Sequence, residues 1–291
     1  LPSNGWHFLL DWRICFTPLI VIVHNWIPPD RFFPYFTWQQ IDQMPDKERA
    51  VIIQPLGSIE QHGYHLPLIV DIAISCAVIG KTLAQLPPDI KVYSLPPLPY
   101  GKATEHLDFP GTISLSTNTL FSILFDISES IYRSGFRKLI LWNSHGGQPQ
   151  ILELVARDLR YQYRDMLVFP FFTWRVPPMR TLGAELFTEQ ENLLGIHAGD
   201  AETSLMLAIM PDRVLLDQAI CAYPTINYNY LSIEGDLPIP WVTKDLSMTG
   251  TIGDATAASR EKGEKILATL VSAWQGILTE IFHYEQISKQ G

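Results

Sequence analysis

Long hydrophobic runs, clustered cysteines and blocks of basic charge are all missing from this chain of 291 residues, and each absence removes a class of protein. The three cysteines, Cys15, Cys76 and Cys221, lie far apart and form no CxxC pair. Neither a disulfide framework nor a zinc ribbon is therefore expected, and a reducing compartment fits better. A formal net charge of −9 with no basic run leaves out the electrostatic footprint of a nucleic-acid binder. The apolar stretch ICFTPLIVIV, residues 14–23, is broken by Pro18 and is far shorter than the roughly 20 residues a helix needs to cross a hydrocarbon core. A secretory signal fits no better, because few basic residues precede the stretch and no small-residue cleavage site follows it. Residues 1–35 read as an extension that packs on the domain, or that an early start codon added. A cytoplasmic protein without a membrane partner is expected.

What is present is a recurring short apolar run followed by a helical period. Strands are predicted at residues 50–56, 91–95, 138–142 and 166–172, and helices at 71–86, 117–133 and 149–163. Asp71 stands at a natural helix-capping position, as do Ser116 and Thr117. Continuous β-branched and aromatic runs alternating with helices predict an α/β fold whose parallel strands are covered on both faces. Residues 173–200 and 222–252 read as long loops, and 255–283 as a strong amphipathic helix. One domain is the better reading, spanning residues 36–291.

His62, His65, His106, His145 and His197 all fall in predicted loops, where open α/β sheets bind ligands at strand ends. In the segment GSIEQHGYHLPLIVD (57–71) extended backbone points Glu60 and His62 the same way, and Asp71 can return to the same spot. Carboxylate and imidazole together are a donor set that zinc or manganese accepts. The segment NSHGGQ (143–148) places His145 at a strand's C-terminal end, with glycines that let backbone come close to a ligand. The segment HAGDAETS (197–204) opens a helix, with Asp200 at its cap and Glu202 in its first turn. Each has a plainer role when taken singly: Asp71 and Asp200 as helix caps, Glu202 as a dipole partner, and the histidines as polar loop residues. Jointly, three carboxylates and two neutral imidazoles would balance two divalent cations and a bridging hydroxide; without metal the carboxylates would raise one another's pKa.

The segments GSIEQHGYHLPLIVD, EHLDFPGTISL (105–115), GFRKLILWNSHGGQ (135–148) and HAGDAETSLML (197–207) resemble the creatininase (creatinine amidohydrolase) family in order and spacing. The resemblance implies a three-layer α/β/α sandwich with a mostly parallel sheet and two divalent metal ions, zinc or manganese, with iron a further candidate. It also implies hydrolysis of a non-peptide C–N bond in a small cyclic amide or formamide, and a homo-oligomer, often a hexamer. Carried over by motif, the ligand positions are Glu60, His62, Asp71 and His145, with Asp71 the bridge, and His197 is the proton-transfer residue. True creatininases carry tyrosine and glutamate directly after the histidine, where Gly146 and Gly147 stand here. The fifth ligand is then inferred to be Glu202, as in the family branches that act on formamides or trim a peptide precursor, and creatinine is not the expected substrate. Gly146, Gly147 and His106 are candidate substrate or oxyanion contacts.

Two other classes compete. A serine hydrolase built on Ser58 or Ser144 lacks the GxSxG context. A non-catalytic binding or assembly subunit on the same fold is opposed by the intact ligand positions.

Overall fold

The computed structural model describes residues 26–285, so the apolar stretch at 14–23 lies outside the described residues. After the short helix α1 (Trp38–Asp42), the chain builds β1 (Val51–Leu56), α2 (Val70–Gln85), β2 (Val92–Ser94), α3 (Thr117–Arg133), β3 (Lys138–Asn143), α4 (Pro149–Gln162) and β4 (Leu167–Phe172). The four strands form a wholly parallel sheet in the order β2-β1-β3-β4. Every residue of β1 and β3 is buried, as continuous apolar strands covered on both faces require. Their side chains alternate between two cores. Val51, Ile53, Ile140 and Trp142 enter one, and Ile52, Leu56, Leu139 and Leu141 the other.

The second core is closed by α3 and α4, through Leu120, Leu124, Leu152 and Val155. The first is closed by α2 and by two helices from later in the chain, α7 (Asp200–Ile209) and α9 (Arg260–His283), through Val78, Leu205, Leu270 and Trp274. The result is a three-layer α/β/α sandwich. Moving from β1 to β2, the chain crosses on one face. Moving the other way, to β3 and then β4, it crosses on the opposite face, which keeps the crossovers right-handed. The direction of winding thus reverses between β1 and β3, and the loops leaving those two strands open a crevice at their C-terminal ends. By length and hydropathy α9 could cross a membrane. It lies instead in the core, with Trp274 against Trp142 at 3.8 Å between ring centroids.

Residues 173–200 are not a long loop. They contain α5 (Pro177–Leu186) and α6 (Glu189–Leu194). Two prolines open α5, where their missing N–H groups cost nothing, and Thr188 caps α6 by accepting from the Glu191 N–H. Segment 222–252 is irregular apart from α8 (Thr243–Leu246). It is bracketed by a two-stranded antiparallel ribbon of β5 (Cys221–Ala222) and β6 (Gly253–Asp254). The last helix starts at Arg260 behind a Ser259 cap, after a 3-10 turn at Ala255–Ala257. Ahead of the sheet, Arg31 is buried and its guanidinium donates to the carbonyls of Ile90 and Pro87 at 2.6 and 2.9 Å, just past the end of α2.

Lys138, at the start of β3, is buried, and its ammonium donates to the Ile281 and Phe282 carbonyls at 2.9 and 2.7 Å. These belong to the last turn of α9, where carbonyls run short of helical partners; Ile281 O also accepts the Tyr284 N–H at 3.2 Å. Replacing Lys138 by Met keeps the stem and removes the donors, so it should lower unfolding stability by about 1.5–3 kcal/mol, the range for hydrogen bonds to a charged group. Urea denaturation checks this, and an unchanged midpoint would show that the contact contributes nothing.

Candidate metal centre

The crevice between β1 and β3 is where the sequence-predicted ligands meet. Glu60 and His62 lie in the loop after β1, held in place by bridges from Ile59 to Ile113 and from His62 to Leu66. Asp71 is in the first turn of α2, but it is not the cap: Ile69 is, and no side chain caps this helix. The carboxylate is thereby free to turn to the imidazoles. His145 follows β3, and its N–H is held by the Asn143 side chain at 3.1 Å. His197 and Glu202 flank the start of α7. The bend between them is built at Ala198, which adopts a left-handed φ of 52° and donates its N–H to Glu202 Oε2 at 2.7 Å. His197 is not on a free loop. It pairs with Ile252 in both directions, a contact from a distant segment that no local pattern announces. Asp200 likewise caps nothing; it accepts from Ser204 Oγ at 2.9 Å and pairs with Lys262.

The side chains form linked groups. Glu60, Asp71 and His145 make one set of potential ligands and His62, Asp71 and Glu202 another, so Asp71 is common to both; Glu60, His62 and His197 form a third. His145 Nδ1 lies 3.0 Å from Glu60 Oε2 and 3.3 Å from Asp71 Oδ2. His62 Nε2 lies 3.6 Å from Asp71 Oδ1 and 4.0 Å from Glu202 Oε2. Backbone carbonyls turn the imidazoles: His62 Nδ1 faces Glu60 O at 3.1 Å, and His145 Nε2 faces Lys102 O at 2.8 Å. With those nitrogens donating, the opposite ring nitrogens present lone pairs to the carboxylates, as metal-ligating histidines do.

A divalent cation fits this set. Glu60 Oε2, His62 Nε2 and Asp71 Oδ2 are buried without a hydrogen-bond partner among the described residues, and such atoms are costly unless something satisfies them. The electrostatics agree. Burial opposes charge on His62, but Asp71, Glu202 and Glu60 outweigh it and raise its pKa to about 9. Burial likewise opposes charge on His145, and Glu60 and Asp71 prevail and raise it well above the usual value. Burial pushes Glu60 up, with Asp71 adding to it and His145 opposing. Burial also raises Glu202 to about 7, with His62 opposing and Asp71 adding. Asp71 goes the other way: burial would raise it, but the imidazoles of His145 and His62 beside it hold it well below the carboxylate range. The carboxylates thus draw positive charge into the crevice, and bound cations would supply the same charge.

His106 and His197 complete the cluster. Their rings stack at 4.3 Å, and His62 lies 4.3 Å from His197 on the other side. Burial first, and then neighbouring imidazoles, lower the pKa of both, so both are neutral. His106 Nε2 is 3.4 Å from Glu60 Oε1, which makes it a neighbour of a ligand position. His65 does not join; it turns to Thr203 Oγ1 at 2.8 Å. Ser144 hydrogen-bonds Thr173 at 2.7 Å rather than a histidine. A cleft of ≈ 380 Å³ at the β4 edge, lined by Phe171, Arg175, Trp274 and Ile281 among others, includes none of these ligand positions. Sequence reasoning passed over Gln61, Glu105 and Thr243. Glu105 stands in the EHLDFPGTISL segment beside His106, with a carboxylate 3.3 Å from His145 Nε2. Thr243 carried no signal at all.

A family model described as creatinine amidohydrolase matches residues 34–278. The chain belongs to the creatininase family. Members of this family are metal-dependent amidohydrolases. The chain is 33% identical over 226 residues to a mycofactocin precursor peptide peptidase of Mycolicibacterium smegmatis, covering 76% of this chain and 81% of that protein. It is 31% identical over 267 residues to the creatinine amidohydrolase of Pseudomonas putida, covering 86% and 97%. Among solved structures, a manganese creatininase aligns with a TM-score of 0.73 at 29% identity, over 87% of this chain and 99% of that one. A mutant creatininase of zinc–zinc type aligns at 0.71 and 29%, over 87% and 98%.

Two glycines follow His145 in this creatininase-family chain, and they are not equivalent. Gly146 is exposed, and a Cβ there would meet nothing within 4 Å. A Cβ on Gly147 would run into Glu105 Oε1 and would lie 2.6 Å from His145 Nε2. Gly147→Ala should therefore displace His145 or its carboxylate partner and weaken metal binding by roughly 10–100-fold, the usual cost of disturbing groups that orient a ligand. Gly146→Ala should bind as the wild type does. Chelator competition with zinc measures both, and equal affinities for the two variants would dismiss the crowding argument.

Proposed function

We propose that this chain hydrolyses a non-peptide C–N bond of a small cyclic amide or formamide at a centre of two divalent ions, zinc or manganese. The supporting observation is the pair of ligand sets that share Asp71, with unpartnered buried atoms in each. Glu60, Asp71 and His145 would hold one ion, and His62, Asp71 and Glu202 the other. Bound ions of this kind lower the pKa of a coordinated water and polarise a carbonyl. His197 carries out the proton transfers. Its Nε2–H is held by the Gln61 carbonyl at 2.7 Å, which leaves Nδ1 unprotonated and 3.9 Å from Glu60 Oε1. Nδ1 accepts a proton as the water attacks and returns it to the departing nitrogen, a role that needs a neutral imidazole. Burial of the cluster keeps bulk water away from that exchange.

A second reading, cleavage of a peptide, is favoured by the likeness to the mycofactocin precursor peptide peptidase. A substrate panel separates the two. Formamides and cyclic amides should be turned over faster than short peptides, and faster than creatinine, whose hydrolysis at a kcat/KM of about 10⁴ M⁻¹s⁻¹ or more would contradict the proposal. Efficient cleavage of peptides alone would replace it with the second reading.

Elemental analysis of protein expressed with added metal should find close to two divalent ions per chain, because such ligands form a site only when brought together deprotonated. Glu202→Gln should empty one position. His197→Asn should keep both ions and lower kcat by about 10²–10⁴, the range for one acid–base group. Loss of metal from His197→Asn, with full occupancy in Glu202→Gln, would reverse the two assignments.

A further inference from the structure

Gln61 stands between two ligand positions, holds no metal in the arrangement above, and is nonetheless buried among the imidazoles. Its orientation is built in. The Gly63 N–H donates to Oε1 at 2.9 Å, so the opposite corner of the amide is the nitrogen. Gly63 and Gly250 both adopt left-handed backbone, with φ of 67° and 90°, and a Cβ on Gly250 would overlap the Gln61 amide. Two glycines from distant segments thus form a cradle for this one side chain.

The amide nitrogen has two hydrogens and never accepts. It lies 2.8 Å from His106 Nδ1, 3.0 Å from His197 Nε2 and 3.3 Å from the Gly250 carbonyl. His197 Nε2 is committed as a donor to the Gln61 backbone carbonyl at 2.7 Å, so the two amide hydrogens go to His106 Nδ1 and to Gly250. The other neighbour of His106 Nδ1 is the Thr243 hydroxyl at 2.7 Å. A hydroxyl serves as donor or acceptor, whereas an amide nitrogen only donates. The Thr243 hydroxyl has one hydrogen and also faces the Glu105 carbonyl at 2.8 Å, so it fixes neither state; an unprotonated Nδ1 is the only state of His106 that accepts from the Gln61 amide.

We propose that Gln61 is a positioning residue: its amide fixes His106 as the tautomer protonated on Nε2, which then donates to Glu60 Oε1 and aims Oε2 at the metal ligands. The 3.4 Å approach of His106 Nε2 to Oε1 and the absence, among the described residues, of any hydrogen-bond partner for buried Oε2 are the two ends of that arrangement. The Gln61 backbone carbonyl acts on His197 in the same sense, turning its lone pair inward. One residue therefore sets the proton-bearing nitrogen of both His106 and His197. The inference rests on the metal-hydrolase reading for its purpose, but not for its measurement.

Two-bond proton–nitrogen correlation spectra of histidine-labelled, zinc-supplemented protein read the tautomer directly, with His106→Gln assigning the signal. The wild type should show His106 protonated on Nε2. Gln61→Glu replaces the donor by an acceptor and should move the proton to Nδ1; Gln61→Met should leave a mixture. With the best substrate of the amide panel, Gln61→Met should lower kcat by roughly 10–100-fold, with metal content and KM little changed. A wild-type His106 protonated on Nδ1 overturns the proposal even if neither variant folds, and so does a tautomer that neither substitution alters. The Nε2 tautomer in a protein that cleaves no amide supports the positioning role and removes the functional reading instead.

Discussion

The whole molecule is organised around the cost of burying several ionisable groups at one point. Glu60, His62, Asp71, His106 and His145 are each at most 3% exposed, and Glu202 brings a third carboxylate to the same point. An apolar interior would reject such a set, because each buried charge is expensive unless paired and hydrogen-bonded. The protein meets the cost in two ways. The Glu60 and Lys102 carbonyls face the outer nitrogens of His62 and His145 and orient those two rings, and their inward nitrogens are left for cations to satisfy.

The scaffold supplies the place. A parallel sheet whose winding reverses between β1 and β3 leaves a crevice at two adjacent, fully buried strand ends, so the residues that follow those strands are brought together without a loop having to reach. Asp71 comes from the helix that crosses one face, and His197 and Glu202 from the start of another helix packed on that same face. The candidate ligands are thereby held just past buried strand ends and in or beside the first turns of α2 and α7, which suits a centre whose geometry has to hold. Glu191 supports this from below. Its buried carboxylate accepts the N–H groups of Asp200 and Asp254 and the Tyr223 hydroxyl, tying α6, α7 and β6 into one unit beside the His197 bend.

Glu105 occupies the space a side chain at position 147 would need, and its carboxylate approaches the outer nitrogen of His145, with the His145 bond and charge lowering its pKa against the effect of burial. A carboxylate from the loop after β2 thus stands beside the imidazole where the chain itself offers only glycine. Segment 222–252, irregular in sequence and in structure, closes over the same side through Thr243 and Gly250. Substrate selection is expected to reside in these loops, because the ligands themselves leave little room for variation.

The sequence by itself determined the parallel α/β sandwich, because the strands are mostly apolar and the helices between them are amphipathic, and both patterns are local. It also picked out the carboxylates and imidazoles that the structure brings together, since such side chains at strand ends are legible one segment at a time. The tertiary structure alone decided that Asp71 is shared between two ligand sets, that His65 turns away while His106 turns in, and that Gln61, Glu105 and Thr243 belong to the site. It also decided that His197 is fixed by Ile252, and that 173–200 folds into two short helices whose opening prolines and cap resemble loop composition. The reason is physical. A hydrogen bond between residues more than a hundred positions apart, such as Gln61 with His197 or Thr243 with His106, leaves no periodicity in either segment and exists only once the sheet has set their distance.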